Sequence, residues 1–250
     1  MAVRPDEGIQ LEWLNDKKFN RMENLKHNNI YLAFDIDGTI FNAGTILLTA
    51  IEQGSEKLKV SRPDLNLRTP TMQEITSTLG YPLPEIFRML YPELDAEGRR
   101  LYAEIWTENL VKLILAREGE LIECADRIIP ELHAEGCTML VASNGARAYV
   151  EAVLAAYDLK QYFADPFLYA EDGYGTKSGI VKEYMKVLVP GTFIMIGDRI
   201  TDLDAARDNS IPFIGCAFGH AGIEEIGGER YIVHGLDKIP AMIERIIADL

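Results

Sequence analysis

Ile30-Tyr31-Leu32-Ala33-Phe34-Asp35-Ile36-Asp37-Gly38-Thr39 runs from an unbroken apolar stretch straight into two carboxylates and a glycine. The apolar part has the length and character of a buried strand. Asp35 and Asp37 stand where that strand ends. They repel each other and neither is an obvious helix cap, so stability does not explain them. Two readings follow. One is a solvated turn built on an Asp-Gly step. The other is a reactive pair, in which one carboxylate attacks an electrophile, the second moves a proton and a metal cation holds both.

Working outward, the chain divides into stretches of different rhythm. Residues 1–29 form an N-terminal extension with a weak helical pattern over Leu11–Leu25, and Met22 is an alternative start. From about 46 to 122 helical patterns dominate, over Leu47–Leu58, Met72–Leu79, Pro84–Leu90 and Ala96–Ala116, with no convincing strand. From about 125 onward strands and helices alternate. Helices are expected over Ala125–Glu135, Arg147–Tyr157, Ser178–Leu188, Thr201–Arg207 and Lys238–Leu250. Strands are expected over Thr138–Ala142, Phe193–Ile196 and Pro212–Cys216, with a short extended piece near Phe163–Tyr169.

Alternation of this kind predicts an α/β fold, a Rossmann-like doubly wound parallel sheet with helices on both faces. Ligands in such sheets bind beyond the carboxyl ends of the strands. Asp35 and Asp37 follow the first strand. Ser143, Asn144 and Gly145 follow the second, and Gly197, Asp198 and, four residues on, Asp202 follow the third. Lys177 opens a helix after Gly175-Thr176. A cation there opposes the helix dipole, so another partner for it is expected.

The formal net charge of −14 and pI near 4.8 argue against a nucleic-acid polymer and against an anionic membrane surface as partners. They leave room for a small phosphate substrate in a local pocket. No stretch approaches a membrane span and no signal peptide is evident. The three cysteines, Cys124, Cys137 and Cys216, form no paired motif and read as reduced thiols in a cytoplasmic protein. His27, His133, His220 and His234 lack metal-ligand spacing, so zinc is not expected.

The ordered set of Asp35 to Thr39 (DxDGT), Ser143 in VASNG, Lys177 in GTKSG and Gly197 to Asp202 (GDxxxD) resembles the four motifs of the haloacid dehalogenase-like hydrolase superfamily, and most closely its phosphoglycolate phosphatase-like branch. The resemblance covers about residues 30–250. It implies a core of residues 30–45 and 123–250 and a smaller, mobile all-helical cap domain over 46–122, with hinges near Gly44 and Glu118–Glu123.

The resemblance implies roles residue by residue. Asp35 is the nucleophile that forms an aspartyl-phosphate, and Asp37 the general acid and then base. Ser143, the Asn144 backbone N–H and Lys177 bind the transferring phosphoryl group. Asp35, Asp37 (through its carbonyl), Asp198 and Asp202 hold Mg²⁺, whose hard character suits an all-oxygen set. The aspartate at position 37 favours phosphate-ester chemistry over dehalogenation. Arg62, Arg68 and Leu79-Gly80-Tyr81 are candidate cap contacts, His220 and Arg199 candidate rim residues, and Asp204 a solvated one.

The implied activity is a Mg²⁺-dependent phosphatase for small phosphomonoesters of phosphoglycolate, sugar-phosphate or nucleotide type, acting as a monomer or homodimer. A phosphomutase like β-phosphoglucomutase is the alternative, and Asn42, standing where both groups commonly have aspartate, leaves the subfamily open. A non-catalytic scaffold that keeps the fold is a third reading.

Overall fold

The structure is a computed structural model and describes residues 29–65, 67–221 and 223–250. The N-terminal pattern over Leu11–Leu25 and the Met22 start lie outside the described residues.

Strand β1 (Ile30–Phe34) is buried along its whole length, as a central strand covered on both faces must be. It lies in a five-stranded sheet with β4 (Thr138–Val141) on one side and β5 (Thr192–Gly197) on the other, followed outward by β6 (Phe213–Cys216) and β7 (Ile232–Val233), all parallel. The chain crosses from β4 back over β1 to β5, so the strand order reverses at β1. A crevice opens at such a switch point, beyond the carboxyl ends of the strands.

Side chains alternate across the sheet with the strand period of two. Leu32 and Phe34 face a core shared with α5 (Ala125–Ala134), α6 (Arg147–Ala156) and α9 (Ile239–Asp249). Tyr31 and Ala33 face the opposite side, against Ile180 and Val181 of α7 (Lys177–Val187) and Leu203 and Ala206 of α8 (Ile200–Asp208). This is the α/β, Rossmann-like architecture that the alternation predicts.

Between β1 and β4 the chain builds α1 (Gly44–Ser61), α2 (Met72–Thr78), α3 (Leu83–Leu90) and α4 (Ala96–Leu115). Thr71 and Glu74 close a reciprocal capping box at the start of α2, and Asp95 caps α4 by accepting from the Gly98 N–H at 2.6 Å. A buried aromatic cluster of Phe87, Tyr91, Tyr102 and Trp106 ties α3 to α4, and the Tyr102 hydroxyl reaches the Ile51 carbonyl of α1 at 3.0 Å. No helix among the described residues is long and apolar enough to cross a membrane.

Three local readings of the sequence differ from the structure. No strand is expected between about 46 and 122, yet Glu120–Leu121 (β3) pairs antiparallel with Phe41–Asn42 (β2). Two-residue strands are too short to show periodicity. The expected extended piece over Phe163–Tyr169 makes one bridge, Met139 to Phe163, and no ladder. Edge strand β7 carries too few apolar residues to stand out from the surrounding loop.

Candidate active site

Register sets the site. Phe34 pairs with Val141 on one side and Ile196 on the other. Asp35, Ser143 and Asp198 therefore emerge close together, just past the level where the three strands stop. The Asp35 N–H still donates to the Ile196 carbonyl at 2.9 Å, and the Ala142 N–H to the Phe34 carbonyl at 2.8 Å, so the first residues past each strand are held as firmly as the strands.

The chain then turns sharply. Gly38 has φ +82° and donates its N–H to the Phe41 carbonyl at 2.8 Å. A Cβ at Gly38 would sit 2.5 Å from Asp198 Oδ2, and one at Gly219 would sit 2.3 Å from Asp198 Cβ. Both glycines are needed so that two loops can close on the Asp198 carboxylate. That carboxylate accepts from the His220 backbone N–H at 2.7 Å, with the Thr39 hydroxyl 3.5 Å away.

Lys177 is the first residue of α7, and its side chain is 1% exposed. Its ammonium lies 2.8 Å from Asp35 Oδ2 and 2.7 Å from Asp202 Oδ1. These are the partners that its unfavourable place on the helix dipole calls for. The other Asp202 oxygen accepts from the Arg199 N–H at 3.0 Å and caps α8. Asn144 joins three segments: its Oδ1 accepts from the Lys177 N–H at 2.9 Å, and its Nδ2 donates to the Gly80 carbonyl at 2.8 Å. Ser143 is buried beside it, its Oγ accepting from the Gly145 N–H at 3.2 Å.

Three buried carboxylates, Asp35, Asp198 and Asp202, face one buried ammonium, Lys177. When all are ionised an excess of negative charge stays in a dry place. Burial, and then the charge of Asp35, pushes the Asp198 carboxyl up to about 6. Burial also raises Asp202, with Lys177 pulling it back. Burial works against the Lys177 charge, but Asp202 and Asp35 outweigh it and hold the ammonium protonated. One oxygen from each of Asp35, Asp198 and Asp202 lies within 4.8 Å of the others. An all-oxygen set carrying surplus negative charge fits a hard divalent cation.

Asp37 stands outside that cluster. Its Oδ1 accepts from the Ala43 N–H at 3.2 Å and lies 3.2 Å from His220 Nε2. Burial lowers the basicity of His220, but the hydrogen bond and charge of Asp37 outweigh it and raise it. The Tyr149 hydroxyl lies beside Asp37 outside ordinary hydrogen-bond geometry. Sequence reasoning missed Tyr149, which carries no motif. It left His220 open, although the position of His220 after the last long strand was the usable signal. Asp204 is exposed.

Arg199 is buried rather than placed on the surface. It forks onto Glu225, with Nε at 3.1 Å and NH2 at 3.0 Å, and donates to the Thr76 and Ser77 carbonyls at 3.2 and 3.5 Å. The last turn of α2 is thus held by a core cation, favourable for the dipole. Thr201 adds a bond to the Gly80 carbonyl at 3.3 Å. Arg62 and Arg68 instead pair with Asp64 and Glu74, away from the cavity, while Leu79, Gly80 and Tyr81 line it. Arg199→Met is expected to cost about 2–4 kcal/mol, because it leaves Glu225 and two helix-end carbonyls without their donor. Urea unfolding checks this, and a midpoint equal to that of the wild type would rule it out.

A sheet with a switch point at β1 and a carboxylate–lysine cluster on its strand ends defines a hydrolase site of known type. The family model for haloacid dehalogenase-like hydrolases matches residues 32–216, and the chain belongs to this family. It is 22% identical over 210 residues to a phosphoglycolate phosphatase of Vibrio vulnificus, covering 80% of this chain and 88% of that protein. It is 22% identical over 205 residues to a 5'-nucleotidase of Pseudomonas aeruginosa, covering 81% and 88%. The crystal structure of a predicted phosphatase from Clostridium acetobutylicum superposes with a TM-score of 0.71 at 23% identity, over 87% of this chain and 99% of that one.

Proposed function

We propose that this hydrolase is a Mg²⁺-dependent phosphatase that cleaves small phosphomonoesters through an aspartyl-phosphate on Asp35. The observation that carries the reading is the Lys177 ammonium held between Asp35 and Asp202 at the strand ends. It fixes the Asp35 carboxylate and offers charge to an incoming phosphate. The phosphatase and nucleotidase relatives support the substrate class.

In this reading an Asp35 oxygen attacks phosphorus and the ester P–O bond breaks. Asp37 gives its proton to the leaving oxygen. Asp37 then takes a proton from water, the water oxygen attacks phosphorus, and the bond to Asp35 breaks to release phosphate. Ser143, the Asn144 N–H and Lys177 hold the phosphoryl oxygens. Asp35, Asp198 and the Asp37 carbonyl would hold Mg²⁺, with Asp202 behind them, and the cation would neutralise charge on the phosphoryl group. Helices α1 to α4 act as a cap over the site, which keeps water out during transfer. Buried Cys216, outside any disulfide, fits a reducing, cytoplasmic setting.

Phosphate release from a panel of metabolite phosphates, with Mg²⁺ and with EDTA, tests the reading. Metal-dependent release from a related group of esters is expected. Isomerised sugar phosphate in place of free phosphate would turn the assignment to a mutase. A protein that binds Mg²⁺ and turns over nothing would turn it to a scaffold.

A further inference from the structure

Two buried polar atoms without a hydrogen-bond partner, the Trp106 indole nitrogen and the Tyr149 hydroxyl, belong to side chains that line one and the same cavity. One comes from α4 and the other from α6. At the strand ends the cavity wall is Asp35, Asp37, Ser143, Asn144 and Lys177. Away from them it is Leu47, Leu79, Leu83, Ile86 and Leu110, with Tyr81 adding a ring. Among the described residues Lys177 is the sole cation on this wall. Arg199 is turned onto Glu225 and the end of α2. Arg88, Arg99, Arg100 and Lys112 line the adjoining outer cleft and not the inner cavity, and Arg88 and Arg100 are already paired with glutamates.

This division of the wall has chemical consequences. A phosphoryl group finds its charge answered at Lys177, and would find it answered too at a divalent cation held by Asp35 and Asp198. A second anion attached close to the phosphate would be moved from water to a wall of leucine and isoleucine whose spare donors, the Tyr149 hydroxyl and the Trp106 indole, are neutral, with no second cation to balance its charge, which is unfavourable. A buried indole N–H without an acceptor is itself unfavourable, and a ligand atom that satisfies it removes that penalty. Tyr149 lies beside Asp37, at the ester end. Trp106, from the helical insert, is left to meet the far end of the molecule.

We propose that the cavity takes a phosphomonoester whose alcohol part is uncharged and mainly apolar, with one acceptor atom for the Trp106 indole N–H, and that it rejects esters carrying a second anion beside the phosphate. This rests on the phosphatase reading above, which supplies the anchor for the phosphate. Trp106 is a specificity-determining residue in this account and takes no part in the chemical steps.

The test measures kcat/KM with Mg²⁺ for phenyl phosphate, its 2-, 3- and 4-methoxy derivatives, benzyl phosphate and 2-phosphoglycolate. Because phenols leave more readily than alkyl alcohols, the charge effect is read from benzyl phosphate, an alkyl ester, which should exceed 2-phosphoglycolate by at least about a hundredfold. The best methoxy isomer should exceed phenyl phosphate by roughly three- to tenfold, the value of one hydrogen bond. In Trp106→Phe that preference should fall to about one. Asp35-dependent release that favours 2-phosphoglycolate would overturn this proposal alone, as would a methoxy preference that survives Trp106→Phe. Release from none of these esters and none of the wider metabolite panel would overturn the phosphatase reading and this proposal with it.

Discussion

The Asp35→Asn variant is expected to lose at least about four orders of magnitude in phosphate release while holding or gaining thermal stability in metal-free buffer. The first half follows from the proposed covalent step, since an amide is not a nucleophile for phosphorus. The second follows from the charge balance of the site. Asparagine occupies nearly the same volume and removes one of three buried carboxylates, while Lys177 keeps its 2.7 Å partner, Asp202. Metal affinity should weaken in the same variant, because one oxygen ligand loses its charge. Activity within tenfold of the wild type would show that Asp35 does not carry the phosphoryl group. A large fall in Tm would show that the carboxylate is structural.

Lys177→Met should behave in the opposite way, losing both turnover and stability. The side chain is nearly the same length and apolar, so packing is roughly kept. Asp35 and Asp202, at 3% and 0% side-chain exposure, are left without their cation. Stranding buried carboxylates costs about 3–5 kcal/mol, or roughly 10 °C in Tm for a chain of this size. The pH dependence has a defined sign. Burial already raises the Asp202 carboxyl above its unfolded value, and without the ammonium that pulls it back the folded-state value rises further. The folded state then binds more protons, and stability falls as the pH rises. The penalty should therefore shrink between pH 8 and pH 5, and added Mg²⁺ should recover part of it at pH 8. Differential scanning calorimetry across that range decides the matter, and a Tm deficit independent of pH would contradict the charge argument.

The fold class was legible because β1, β4, β5 and β6 are continuous apolar runs separated by helices with clear periodicity. The convergence of Asp35, Ser143 and Asp198 was legible from a single rule, that the ends of neighbouring parallel strands share a crevice. Lys177 showed itself by an electrostatic mismatch, a cation where the helix dipole disfavours one. Other features depend on partners far away in the chain. Arg199 reads as a rim or surface residue until Glu225, Thr76 and Ser77 are placed around it. Trp106 looks like any aromatic on a buried helix face, and only the missing acceptor at its nitrogen sets it apart. The His220 contact with Asp37 spans 183 positions and leaves no local pattern.

The ribbon of β2 and β3 brings the entrance and exit of the helical insert side by side, with Phe41 opposite Leu121 and the Ile122 N–H on the Ile40 carbonyl at 2.9 Å. Seen from the catalytic sheet, everything from α1 to α4 is a loop whose two feet are already tied together. The entropy of closing such a loop grows only slowly with its length. A graft of a longer, shorter or unrelated helical module onto the same two feet would leave the strand ends, and the carboxylates on them, where they are, provided that it again offers carbonyls to Asn144, Arg199 and Thr201. Reaction chemistry and substrate choice would then be separable by chimera, and such a module could be exchanged without re-engineering the sheet beneath it.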